Sequence, residues 1–189
     1  MGELSVSVNQ AVFCTRLDHT LILDAPTAGG IRTFRNAPTP VRARGLETNL
    51  RLRVDDWQLF AAYTLTDTRQ TYDPTQPAAL PFVSRHRLVL TSVYEVAGKG
   101  RMGVEGTGNG PQVVGDGARR SPGFWLLGAL AEAQFNSHFA LVLNVENFLD
   151  VRQTRFEQVV TGPTDRPTFR PLYAPLDGIV ANAALKITL

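Results

Sequence analysis

Few residues in this chain could do chemistry, and their spacing fits none of the common sites. Gly106, Gly108 and Gly110 have the density of a phosphate-binding loop. Such a loop must run into a helix N-terminus, where free amides hold the phosphate. Here Pro111 follows at once, and Gly115-Asp116-Gly117 soon after, so the stretch reads as a loop and not as a nucleotide cradle. The three histidines, His19, His86 and His138, are scattered and lack the spacing of metal ligands. His86 sits between Arg85 and Arg87 and reads as a strand-face residue. Cys14 is the single cysteine, so neither an internal disulfide nor a cysteine zinc site is available. On a strand it reads as a small hydrophobe, buried or facing lipid. Ser121 precedes Pro122 with no evident base, and neither a nucleophile elbow nor an HExxH motif occurs. No enzyme, cofactor or metal centre is expected. The paired cations Arg119 and Arg120 could meet an anionic ligand from a long loop; a solvated surface pair is the simpler reading.

Strands must position these residues. Eight runs alternate apolar with polar, at about 3–16, 31–54, 56–69, 83–97, 101–108, 122–135, 138–149 and 178–189. Two are less regular: LLGALAEAQF (126–135) is rich in helix-forming alanine, and RMGVEGTG (101–108) is rich in glycine. The gaps between runs alternate in length. Long ones fall at 17–30, 70–82, 109–121 and 150–177, and tight ones at Asp55-Asp56, Gly98-Lys99-Gly100 and Asn136-Ser137. An antiparallel meander with these gaps has every tight turn at one end and every long loop at the other. That is the asymmetry of an outer-membrane β-barrel, with short periplasmic turns and long external loops.

Alternation assigns faces. In 56–69, Trp57, Leu59, Ala61, Tyr63 and Leu65 share one face, and Gln58, Thr64 and Thr66 the other, with Phe60 and Ala62 as exceptions. The expected lipid-facing set is Trp57, Leu59, Tyr63, Leu65, Phe139, Leu141, Leu143, Leu185 and Ile187. The expected lumen-facing set is Glu47, Arg51, Arg53, Arg85, Arg87, Asn144, Glu146 and Lys186. Charges can stay hydrated or bonded in a wet or plugged lumen. Trp57, Tyr63, Tyr94, Trp125 and Phe139 lie near strand ends, as interfacial aromatics do. A soluble eight-stranded calyx would alternate in the same way with its apolar face inside. Strand length and one-ended loops favour the membrane, since most runs reach the nine to eleven residues that a tilted crossing needs.

The totals agree. A chain of 189 residues is one domain by default, with net charge +2 and no dense Lys/Arg run, so nucleic acid is not an expected partner. No apolar run approaches the eighteen residues of a spanning helix. Met1-Gly2-Glu3-Leu4 passes straight into alternation without a secretory signal. Since an outer-membrane protein must be exported, the chain is expected to be part of something longer.

Three segments resemble the C-terminal barrel of TonB-dependent outer-membrane receptors. TFRNAPTPVRARGLETNLRL (33–52) is similar to a family strand through Asn36, Gly45, Leu46 and Glu47, and WQLFAAYTLTDTR (57–69) resembles the strand after it. LVLNVENFLDVRQTRFE (141–157) is similar to a late strand closing on Asn144, Val145, Asn147, Phe148, Leu149 and Asp150. PLYAPLDG (171–178) resembles the segment leading into the terminal strand. The resemblance implies an all-β, antiparallel up-and-down meander of about eight strands within a 22-stranded transmembrane barrel. It also implies outer-membrane lipid and the barrel-assembly machinery as partners, and uptake of a siderophore, haem, cobalamin or similar nutrient. TonB would act only through an N-terminal plug that this chain lacks. Family members usually end on an aromatic, whereas this chain ends on Leu189. Two alternatives stay open: a self-standing eight-stranded outer-membrane barrel (adhesin or small pore), and a soluble ligand-carrying barrel.

Overall fold

The structure, a computed structural model, describes residues 4–24, 27–115 and 119–188. Leu189 therefore lies outside the described residues, as do parts of the 17–30 and 109–121 loops. The strands are β1 (Leu4–Leu17), β2 (Leu21–Leu23), β3 (Phe34–Asn36), β4 (Val41–Val54), β5 (Trp57–Arg69), β6 (His86–Val96), β7 (Gly100–Asn109), β8 (Phe124–Gln134), β9 (Phe139–Glu146), β10 (Val160–Thr161), β11 (Thr168–Phe169) and β12 (Val180–Ile187). Eight of them form one sheet in the order β1-β4-β5-β6-β7-β8-β9-β12. Every pairing within it is antiparallel. The remaining four make two small hairpins, β2 with β3 and β10 with β11, each inside a long loop. Among the described residues no helix is long and apolar enough to cross a membrane, which leaves crossing by strands untouched.

Local chemistry explains the turns. Asp55 takes a left-handed φ of 49° in the two-residue turn between β4 and β5, as such hairpins require. Both irregular runs are strands. The Ala-rich run forms most of β8, because backbone pairing with β7 and β9 outweighs its helix propensity. The Gly-rich run is β7, held between β6 and β8.

One expected strand is corrected. The run 31–54 does not continue through its first ten residues. Residues 34–36 pair back onto 21–23 as a separate hairpin, and the long strand starts at Val41. Pro38 and Pro40 lie between them. Proline cannot donate to a ladder, so the run breaks there. The first long loop is therefore 18–40 and contains the β2–β3 hairpin.

The sheet does not close on itself. Among the described residues β1 pairs only with β4 within it, and β12 only with β9. The two edges also differ: β1 has 14 residues and β12 has 8, so the last strand is shorter than the run 178–189 suggested. Buried apolar residues are few, and five of the six (Ala37, Val41, Val113, Val114, Phe124) lie at the long-loop end or just inside it. Elsewhere the sheet is one layer thick, with Val8, Val12, Trp57, Met102, Val104 and Leu185 exposed. A single apolar layer facing water is unfavourable in proportion to its area.

Candidate functional site

The register divides the sheet into two chemically distinct sides. On one side Leu52 pairs with Val6 and Leu59, Leu50 with Val8 and Ala61, and Leu46 with Val12 and Leu65. The same side continues through Tyr63, Leu88, Leu90, Val104, Leu127, Leu143, Val145 and Leu185. All nine residues expected to face lipid lie on it: Trp57, Leu59, Tyr63, Leu65, Phe139, Leu141, Leu143, Leu185 and Ile187. Trp57 packs against Tyr94 at the tight-turn end, ring centroids 5.2 Å apart. Cys14 is exposed on this side too.

On the opposite side Arg51 pairs with Ser7 and Phe60, Arg53 with Ser5 and Gln58, Glu47 with Thr64, and Thr64 with Arg87. Asn144 pairs with Leu130 and Asn182, Glu146 with Val180, and Lys186 with Ala140. Glu47, Arg51, Arg53, Arg87, Asn144, Glu146 and Lys186 thus share this polar side. Arg85 is the exception among the expected set, standing one residue before β6. Phe60 and Ala62 are not faults in the alternation. They belong to the polar side, and Arg51 lies over the Phe60 ring, 5.6 Å from its centre. Clefts follow this side, one lined by Ser5, Ser7, Arg51, Gln58 and Thr91, another by Glu105, Thr107, Glu146 and Val180. The polar side also carries an ion ladder that the sequence reading missed. Arg101 donates to Glu132 at 2.9 Å, and Lys186 lies 3.5 Å from the same carboxylate. The alternation Ala131-Glu132-Ala133 was the available signal.

At the long-loop end, buried polar side chains organise the loops. Gln153 is fully buried at the first position of a 3-10 turn. Its amide nitrogen donates to the Pro171 carbonyl at 2.9 Å, and its amide oxygen accepts from Tyr173 N–H at 2.8 Å. Gln70 holds the 70–85 loop in the same way, donating to the Pro77 carbonyl at 2.8 Å and accepting from Asp73 N–H at 3.1 Å. Ser121 accepts from Gln112 N–H at 3.0 Å. Each of these satisfies backbone groups that strand ladders cannot reach.

A carboxylate joins two of the loops. Glu157 accepts from Arg119 at 2.6 Å and from Arg170 at 2.7 Å. Partial burial works to raise the Glu157 carboxyl; the two guanidiniums outweigh it and hold it below the ordinary range. Burial and the neighbouring Glu157 push the Tyr173 phenol up. Arg119 is therefore a tie between loops and not a solvated cation, while Arg120 stays exposed beside its backbone bridge to Val113. A cleft of about 420 Å³ opens beside the β2–β3 hairpin, lined by Asp24, Arg35, Tyr72, Asp73, Gln76 and Gly115. Among the described residues no group of three His, Cys, Asp or Glu side chains could hold a metal ion. His86 instead meets the Tyr63 hydroxyl at 2.7 Å.

The Asn147 and Asp150 motif is a structural clasp. Both residues take left-handed φ, 50° and 53°. The Asn147 amide nitrogen donates to the carbonyls of Val151, Asp177 and Gly178 at 2.9, 3.2 and 3.2 Å. This ties the exit of β9 to the entry of β12. Asp150 binds Arg152 at 2.7 Å and also Arg155. The Arg152 hydrogen bond holds the Asp150 carboxyl below its usual range. A Cβ at Gly178 would meet Asp150 Oδ1 and the Arg152 guanidinium, so a side chain there would have to push this ion pair aside.

Comparison with known proteins accounts for this layout. The family model of the TonB dependent receptor-like β-barrel matches residues 5–148. The chain belongs to this family. Solved structures of TonB-dependent receptors share its fold. It is similar to the copper transporter OprC, at 15% identity and TM-score 0.70, over 97% of this chain and 29% of that one. It is also similar to the ferric-catecholate import receptor Fiu of E. coli K12, at 22% identity and TM-score 0.58, over 77% of this chain and 21% of that one. FpvA of P. aeruginosa, in a pyoverdine–Fe complex, matches at 20% identity and TM-score 0.57, over 77% and 21%. The chain thus spans between 21% and 29% of the length of these three structures. No curated protein matches it by sequence.

Proposed function

We propose that the chain is a wall segment of an outer-membrane receptor that imports a scarce nutrient by a TonB-dependent route. The observation that carries this is the two-sided sheet, with an apolar band that crosses all eight strands, much of it exposed and bounded by arginines at the long-loop end of β1, β4 and β5, and a charged side opposite. In this reading the apolar side meets lipid and the polar side lines the lumen. Loops 18–40, 70–85, 110–123 and 147–179 face outward and contribute to ligand recognition. The open edges at β1 and β12 pair with further strands, because unpaired backbone groups cannot sit in hydrocarbon. Energy reaches the barrel through TonB and a plug that other parts of the protein supply, and the barrel-assembly machinery inserts the whole. The same one-sided exposure argues against a soluble carrier, whose apolar side would be filled. The open edges argue against a self-standing eight-stranded barrel.

The named neighbours handle iron complexes and copper, which makes a metal complex the first ligand class to test. The test is metal accumulation by starved cells with and without the complete protein, before and after the proton-motive force is collapsed. The expected result is uptake of iron or copper that needs both the protein and the force. Protein-dependent uptake that persists after collapse contradicts the TonB route.

A further inference from the structure

We propose that a row of arginines on the apolar side binds the phosphorylated headgroup of a lipid whose acyl chains lie on the apolar band. This rests on the reading above that the apolar side faces lipid. Arg16 pairs with Arg42, and Arg42 with Arg69, so three arginines stand in one row on one side of β1, β4 and β5. Arg44 lies one row closer to the sheet centre on the same side, paired with Cys14 and Asp67. Neighbouring strands are about 4.8 Å apart, so the row spans roughly 10 Å. Like charges directly opposite each other on a sheet are destabilising, which leaves a position that an anion improves.

The local carboxylates are too few to neutralise it. Asp18 serves Arg16 at 3.0 Å, and Asp67 is shared between Arg44 at 3.1 Å and Arg69 at 3.6 Å. Among the described residues Arg42 makes no ion pair, though the Asp18 carboxylate feels its charge as well as that of Arg16. Four cations thus face two carboxylates. The side chains of Arg16, Arg44 and Arg69 are 57%, 68% and 66% exposed. Planar guanidinium forks suit phosphate oxygens better than ammonium groups do.

Position selects the occupant. The next apolar row inward is Val12, Leu46 and Leu65, so charge begins where the band ends. A free phosphate would use the arginines and ignore the band, whereas a phosphorylated amphiphile uses both. The patch is confined to the long-loop end of three strands. At the other end the same strands carry Leu4, Val54 and Trp57. At the long-loop end of β6 to β8 this side carries His86, Gly108 and Trp125.

The complete protein in detergent micelles is titrated with bisphosphorylated lipid A, with dephosphorylated lipid A and with inorganic phosphate. The expected result is at least tenfold tighter binding of the phosphorylated lipid. Arg42→Gln with Arg69→Gln should abolish that preference, and Arg42→Lys with Arg69→Lys should retain most of it. Equal affinity for the two lipids, or a preference unchanged in the glutamine variant, overturns the proposal. Inorganic phosphate binding as tightly as the lipid overturns the lipid assignment. Both tryptophans, Trp57 and Trp125, lie on the apolar side, so quenching by brominated phospholipid reports lipid contact separately. Quenching without phosphate preference sinks this inference alone. Absence of quenching sinks both it and the membrane reading.

Discussion

Placing one arginine on each side of β4 separates the two faces energetically. Leu50 lies on the apolar side, paired with Val8 and Ala61, and Asn49 beside it lies on the polar side, paired with Asn9 and Ala62. The apolar band on this strand runs from Val54 to Leu46, about 27 Å along the chain and roughly 20 Å once tilted. Leu50 is its midpoint, about 13 Å along the strand from either end, so an arginine there has the longest way to reach for water. A cation at the midplane of a barrel's lipid side costs about 2–4 kcal/mol, against about 0–1 near the interfaces. Leu50→Arg should therefore destabilise the membrane-inserted complete protein by about 2–4 kcal/mol, a factor of about 30 to 900 in the folding equilibrium. Asn49→Arg, pointing into a lined and hydrated space, should cost about 0–1 kcal/mol. Urea unfolding in phospholipid vesicles, followed by tryptophan fluorescence, measures both. Asn49→Arg costing as much as Leu50→Arg would refute the assignment of the faces.

Other consequences concern the loops and the edges. Asn147→Ala removes three donor contacts and disfavours a left-handed φ, so it should loosen the clasp by about 1–3 kcal/mol, seen as faster proteolysis within 147–179. Gly178→Ala would push the Asp150 and Arg152 side-chain ends aside, so it should weaken that ion pair and expose the same segment to a smaller extent. The Glu157 carboxyl is depressed in the folded state. Its contribution is therefore present above the ordinary carboxylate value near 4.3 and is lost as pH falls through the lower folded value. Hydrogen exchange in the 110–123 and 147–179 loops should rise in that window, and Glu157→Gln should remove the pH dependence. The 189-residue chain expressed by itself, with two open edges, should aggregate; a monomer that migrates faster unboiled than boiled would contradict this.

Short-range pattern carried most of the sheet, and long-range packing carried what was missed. The alternation of Trp57, Leu59, Ala61, Tyr63 and Leu65 is a local property of β5, so it was readable along with both faces of β4. The run 31–54 misled because apolar residues kept recurring across Pro38 and Pro40. The missing donors break the strand there, and the hairpin partner at residues 21–23 is set by tertiary pairing. In the loops, Gln153, Glu157 and Arg170 gave no signal, because their roles depend on backbone groups and cations 13 to 38 residues away. The charge of Arg119 is plain in the sequence, but its partner Glu157 is fixed only by the fold. Asn147, Asp150 and Gly178 belong to the segments that resemble the family, and the structure supplies a reason for them, a left-handed turn tied to the entry of the last strand.

The central claim is that the apolar side of the sheet lies in lipid and the polar side lines water. Spin labels placed singly at residues 48 to 53, with Cys14→Ser removing the native thiol, test it most directly. Collision with oxygen reports lipid and collision with a water-soluble nickel complex reports water. Labels at Thr48, Leu50 and Leu52 should favour oxygen, and labels at Asn49, Arg51 and Arg53 should favour nickel. Equal accessibility at all six positions, or the opposite phase, would contradict it.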